Sequence, residues 1–146
     1  MAETILVLGA CGQVGTELIE NLQNIHGEGN VISSDIRKSD HPVFANGIFE
    51  TLDVLDKKKI AEVFAKYKPT VVYHLAALLS ATAEANPKFG WELNMDGTFN
   101  IFDACLEYGV KRIFWPSSIA VFGPTTPRVN TPQSTILEPS TVYGIT

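Results

Sequence analysis

The sequence predicts an α/β domain built on a doubly wound parallel sheet, and three observations lead there. An apolar run, Ile5-Leu-Val-Leu8, passes straight into glycines at 9, 12 and 15 and then into a helical pattern. Asp35 follows Gly15 by 20 residues, at the end of a second candidate strand. Beyond it, strand-like and helix-like stretches alternate to residue 118, the pattern of βαβ units. Right-handed crossovers then leave few topologies. The expected strand order is 3-2-1-4-5-6, with ligand at the carboxyl ends near the switch between strands 1 and 4.

The elements follow in order. A short apolar run such as Ile5–Leu8 fits a strand buried on both faces. The glycines after it permit a tight turn, close approach of a pyrophosphate, and close packing of helix on strand. The spacing here is G-x-x-G-x-x-G rather than G-x-G-x-x-G. Val14, Leu18, Ile19, Leu22 and Ile25 recur at helical spacing, so a helix is expected over about 13–26, stopped by Gly27 and Gly29. Residues 30–35 read as a second strand and 36–48 as a loop. Phe49 to Val54 reads as a third strand. Asp56 should cap a helix running to about Tyr67, with Ile60, Val63 and Phe64 inward. A fourth strand is expected over 69–77, with small residues at its carboxyl end. A long helix over about 87–108, stopped by Gly109, should carry Phe89, Trp91 and Phe99 toward the core or a subunit interface. A fifth strand is expected over 112–118, then a proline-rich loop, then a helix capped by Ser140.

Composition narrows the function classes. At 146 residues, 45% of them hydrophobic, the chain has the size and apolar content of one domain. A net charge of −5 leaves no basic stripe for nucleic acid. Lys57-Lys58-Lys59, the one basic run, reads as a solvated helix face. No apolar stretch has the ~18 residues of a membrane span and no signal-peptide pattern opens the chain. With Cys11 and Cys105 forming neither a disulfide framework nor a metal motif, a cytoplasmic protein is expected. His26 and His41 read as surface residues, His74 as a strand histidine satisfied by hydrogen bonds, and none has metal-ligand spacing.

Asp35 occupies the place where a dinucleotide-binding unit keeps a carboxylate for the adenosine ribose. An acceptor-only group there favours NAD over NADP, although Arg37 nearby could accommodate a 2′-phosphate. Cys11, inside the loop, matters for its backbone N–H. After the fifth strand come Pro116, Ser117 and Ser118, and Tyr143 follows Ser118 by 25 residues. A tyrosine can act as general base for an alcohol if a cation pulls its pKa toward neutrality, while a serine hydroxyl holds the same oxygen. By residue type alone, a core tyrosine and a buried serine would explain the pair equally well.

These motifs together resemble the extended short-chain dehydrogenase/reductases, the group that includes UDP-galactose 4-epimerase. The resemblance is carried by Gly9-Ala-Cys-Gly-Gln-Val-Gly15, Asp35, Asp53, His74-Leu-Ala-Ala77, Asn94-Met-Asp-Gly-Thr-Phe-Asn100, Ser117-Ser-Ile-Ala-Val-Phe-Gly123 and Tyr143-Gly. Within the group, Gly9-Ala-Cys-Gly-Gln-Val-Gly-Thr-Glu-Leu18, residues 76–84 and residues 114–124 resemble the NAD-dependent L-threonine 3-dehydrogenases. The fold implied is a Rossmann domain. The activity implied is oxidation of the L-threonine β-hydroxyl to 2-amino-3-ketobutyrate, a step of threonine catabolism. Tyr143 would take the hydroxyl proton and Ser118 would bind the reacting oxygen, both also contacting substrate. Ser80 and Thr82 would approach the amino acid.

For the cofactor, the resemblance implies Gly9, Cys11, Gly12, Gln13, Val14 and Gly15 at the phosphates and Asp35, Ile36 and Arg37 at the adenosine ribose. Asp53 and Val54 would meet the adenine, and Leu75, Ala76, Ala77 and Leu78 the central cofactor. Asn94, Pro116 and Tyr143 would complete the site. The related pattern Tyr-x-x-x-Lys would put its lysine just after Thr146. Residues 1–146 are therefore expected to be the NAD-binding, amino-terminal portion of a larger enzyme, ending before a sixth strand and a substrate domain. Such a portion should bind NAD yet turn over threonine negligibly, and a homodimer or a complementary C-terminal portion is the expected partner. The alternatives are a nucleotide-sugar epimerase or dehydratase of the same group, and a non-catalytic NAD-binding module.

Overall fold

Alternation of apolar side chains along the first strand accounts for both layers of the core. The computed structural model describes residues 3–146. Strand β1 (Ile5–Leu8) is buried at all four positions. Ile5 and Val7 point to one face, against Ile19 and Leu22 of α1 (Gln13–His26) and against Phe44. Leu6 and Leu8 point to the other, where Ile60, Val63 and Phe64 of α2 (Lys57–Tyr67) pack with Ile101 and Ala104 of α5 (Gly97–Glu107). A strand covered on both faces is the signature of a parallel sheet. Strands β2 (Val31–Asp35), β3 (Ile48–Thr51), β4 (Val71–His74) and β5 (Arg112–Phe114) complete it in the order β3-β2-β1-β4-β5, every pair parallel. The doubly wound class and the expected order hold, and the switch point lies between β1 and β4.

Several boundaries depart from the sequence reading. Strand β3 ends at Thr51 rather than Val54, because β2 has already ended at Asp35 and offers Leu52 only its last carbonyl. Asp53 then turns the chain, its carboxylate accepting from Leu55 N at 2.9 Å. Strand β4 stops at His74 and β5 at Phe114, both short of their expected ends. On α1, Val14 and Ile25 are exposed, so the inner face is narrower than expected. Asp56 caps α2 through Lys59 N, as the sequence predicts.

The expected long helix is a rod in three parts: α4 (Pro87–Trp91), a π-helical turn (Glu92–Asp96) and α5. The π turn adds a residue to one helical turn, a feature often found at functional sites, and the buried Asn94 sits inside it. A further helix, α3 (Ser80–Ala85), occupies what reads as loop. Phe89, Trp91 and Phe99 are not core residues, being 37%, 49% and 55% exposed. The last helix, α6 (Val142–Ile145), is capped by Thr141 rather than Ser140, Thr141 Oγ1 accepting from Gly144 N at 3.0 Å. Among the described residues, no helix is long and apolar enough to cross a membrane.

Candidate active site

The carboxyl ends of the strands open into two clefts that share Ala76 and Ala77. The first runs over β1 and β2. It is lined by Gly9, Gly12, Asp35, Ile36, Asp53, Val54 and Leu75, with Ser34, Phe89 and Leu93 among its walls. The second lies over β4 and β5, lined by Asn94, Pro116, Ser118 and Tyr143, with Thr98, Trp115 and Val121.

Local chemistry shapes the first cleft for an anion. Gly9 has φ +79°, and a Cβ there would stand 2.7 Å from Ala76 N, so the loop packs directly on the segment after β4. At Gly15 a Cβ would reach within 2.7 Å of Ala10 O, which holds α1 tight against the loop. The first helical bond runs from Thr16 N to Gly12 O at 2.9 Å. The amides of Gln13, Val14 and Gly15 precede it, with neither a side-chain cap nor an acidic residue in the first turn. Such amides, with the positive end of a long helix dipole behind them, suit a phosphate.

At the end of β2, Asp35 Oδ2 accepts from Cys11 N at 2.9 Å and Oδ1 from Ile36 N at 2.8 Å. Each oxygen keeps further lone-pair capacity, so the carboxylate is oriented by the loop without being saturated. Cys11 Sγ donates to Arg37 O at 3.4 Å. Burial pushes the Cys11 thiol up from its ordinary range, against the hydrogen bond at the Ser39 backbone, which leaves it a small neutral side chain rather than a nucleophile.

In the second cleft, Asn94 clamps the strap after β4. Its Oδ1 accepts from Leu78 N at 2.7 Å, and its Nδ2 donates to Leu78 O at 3.3 Å and to Thr146 Oγ1 at 3.0 Å. Ser118 Oγ accepts from Ala120 N at 3.2 Å, starting the 3-10 turn Ile119–Val121. That turn packs on Gly144, where an added Cβ would be 3.0 Å from the Ala120 carbonyl carbon. Beneath the cleft, His74 is fully buried. Its Nε2 shares a 3.0 Å hydrogen bond with Thr98 Oγ1 while Nδ1 has no partner among the described residues, so the expected full satisfaction is only half met. Burial lowers its pKa to about 4, leaving a neutral ring.

Sequence reasoning reached most of this lining but not all. Cys11, Gln13, Val14, Gly15, Arg37 and Leu78 flank the clefts rather than line them. Ser80 and Thr82 lie on α3, exposed and outside the lining of both clefts. The residues missed include Ser34, Leu93, Thr98, Trp115, Val121 and Gly144, and Phe89 was expected in the core or a subunit interface. Phe89 and Leu93, four apart on one helical rod, carried a spacing that could have marked a shared face. The donors fit a dinucleotide: open amides at the glycine turn, a carboxylate held by the loop, and a floor of alanines.

Comparison with known proteins agrees with the geometry. The model of the NAD dependent epimerase/dehydratase family matches residues 5–146. An uncharacterized epimerase/dehydratase of Staphylococcus saprophyticus is 48% identical over 142 residues, covering 97% of this chain and 44% of its own length. Among solved structures, the L-threonine dehydrogenase from Clostridium difficile superposes with a TM-score of 0.93 at 46% identity, over 99% of this chain and 45% of that one. The UDP-glucose 4-epimerase of Thermus thermophilus, in complex with NAD, gives 0.83 at 25% identity, over 97% of this chain and 46% of that one. The chain thus spans less than half the length of these relatives.

Proposed function

The chain belongs to the NAD dependent epimerase/dehydratase family, and from that premise we propose that it carries the cofactor site of an enzyme oxidising the β-hydroxyl of L-threonine to 2-amino-3-ketobutyrate. The observation that carries the proposal is the meeting of Ser118 and Tyr143 in one cleft beside Ala76, Ala77 and Asn94. NAD, when bound, supplies the hydride acceptor.

In this reading the amides of residues 13–15 hold the pyrophosphate, and Gly9, Gly12 and Cys11 let the backbone approach it. Asp35 accepts from the adenosine ribose hydroxyls beside Ile36 and Arg37. Asp53 and Val54 border the adenine, and Leu75 to Leu78, kept in place by Asn94, run under the middle of the dinucleotide beside Pro116. Ser118 Oγ would donate to the threonine hydroxyl oxygen and Tyr143 would serve as acceptor of the hydroxyl proton, the hydride leaving the carbon that bears that hydroxyl. Ser80 and Thr82 belong to the segment approaching the amino acid. A 46% identity to an L-threonine dehydrogenase against 25% to a UDP-glucose epimerase supports threonine over a nucleotide sugar.

The test is threonine-dependent NADH formation by the whole protein. Tyr143→Phe and Ser118→Ala should each lower kcat by a factor of about 100 or more, a loss larger than any in NAD affinity. Turnover of UDP-sugars without turnover of threonine would replace this reading with the epimerase one, to which the name of the Staphylococcus relative leans.

A further inference from the structure

We infer that Glu84 is a positioning residue for Tyr143, acting through the backbone of α6 rather than on any reacting atom. The inference rests on the reading of Tyr143 as the proton acceptor, but its structural half can be measured apart from it.

Tyr143 lies in the first turn of α6, and two elements dock that turn. On one side stand the 3-10 turn after Ser118 and Pro139: a Cβ added at Gly144 would lie 3.0 Å from the Ala120 carbonyl carbon and 3.1 Å from Pro139 Cβ. On the other side stands α3. Glu84 Oε1 accepts from Tyr143 N at 3.2 Å, across 59 positions of sequence. That amide is one of the orphan donors of a helix start. The Thr141 cap serves Gly144 N and not this one, so Glu84 supplies the partner that the cap leaves out, with the added strength of an ionised acceptor.

Helix α3 can serve as an anchor because it is itself fixed. Ala83, next to Glu84, is fully buried, and a Cβ on Gly90 would lie 3.1 Å from Ala83 Cβ, so α3 rests directly on α4. The same helix carries Ser80 and Thr82. The helix that carries Ser80 and Thr82 thus also holds the backbone of the base, through Glu84.

Glu84→Ala and Glu84→Gln in the whole protein, with Tyr143→Phe beside them, test this. Glu84 is exposed and alanine favours helix, so folding should survive; amide exchange at Tyr143 in each variant is the second measurement. Glu84→Ala should lower kcat about tenfold with KM for NAD unchanged, and speed exchange at the Tyr143 amide about tenfold. Glu84→Gln, whose side-chain oxygen still accepts, should recover most of both. An unchanged kcat and unchanged exchange in Glu84→Ala would overturn the inference, as would a Glu84→Gln variant as impaired as Glu84→Ala. Should Tyr143→Phe retain full turnover, the functional reading fails instead, and amide exchange alone then decides whether Glu84 holds α6.

Discussion

Asp35 combines two loads in one side chain: it braces the glycine loop through Cys11 N and keeps capacity for a ribose diol. Asp35→Ala should therefore weaken NAD binding by a factor of about 10 to 100, as expected for losing an ionised acceptor, and should narrow the preference over NADP. Calorimetric titration of the chain with both dinucleotides measures this, and unchanged NAD affinity would remove Asp35 from the site. His74 makes a different prediction, on stability. Its folded pKa, lowered by burial to about 4, lies below the ordinary 6.5. Between those values the unfolded chain binds a proton at His74 that the folded chain refuses. Stability from this residue is thus complete above pH 6.5 and is lost as pH falls through about 4. The loss amounts to something on the order of 3 kcal/mol. Denaturant unfolding across that window, with His74→Leu as control, should show the slope in the parent and a flatter one in the variant.

The elements that meet at the second cleft are seated by close contact. The 3-10 turn after Ser118 and helix α6 touch through a glycine because nothing larger fits between them. Gly144→Ala puts a methyl group into the Ala120 carbonyl, and α6 must yield. The whole protein should lose at least about tenfold in kcat, with a smaller loss in NAD affinity because the glycine loop lies in the other cleft. A Gly144→Ala enzyme at full rate would mean that the seating of α6 does not govern catalysis. The π turn acts similarly on the other wall. By widening one turn of the rod it gives Asn94 a buried place from which both the amide and the carbonyl of Leu78 are within reach.

For the molecule as a whole, the sheet has one edge of concern. Among the described residues β5 pairs only with β4, and Ile113 and Phe114 on it are 40% and 52% exposed. Trp115 continues the patch, resting edge-on against Phe102 at 5.7 Å between ring centroids. An apolar strand with free backbone groups is a template for pairing with another chain. Residues 1–146 produced alone should accordingly self-associate as their concentration rises, and Ile113→Lys should suppress this, as read by size-exclusion chromatography with light scattering. Association undiminished by the lysine would assign it to another surface.

Much of the fold was legible in the residues. The run Ile5–Leu8, the glycines at 9, 12 and 15, Asp35 and the Asp56 cap are all short-range signals, and each reports a local demand: an all-buried strand, a turn no side chain permits, a carboxylate at a strand end, an orphan amide. The alternation of these segments was enough for the strand order, because handedness leaves so few ways to wind them. Tertiary structure decided what depends on a partner distant in sequence. Strand β3 stops where β2 stops; Asp53 leaves the strand and turns the chain. Residues 80–85 became helix by packing on α4, against no strong apolar period of their own. Tyr143 is named by its motif, but the acceptor for its backbone amide comes from Glu84 on a helix the sequence did not reveal. Local patterns record the conformational preferences of neighbouring residues, whereas strand ends, cleft walls and the seat of α6 are set by contacts that exist only once the chain has closed on itself.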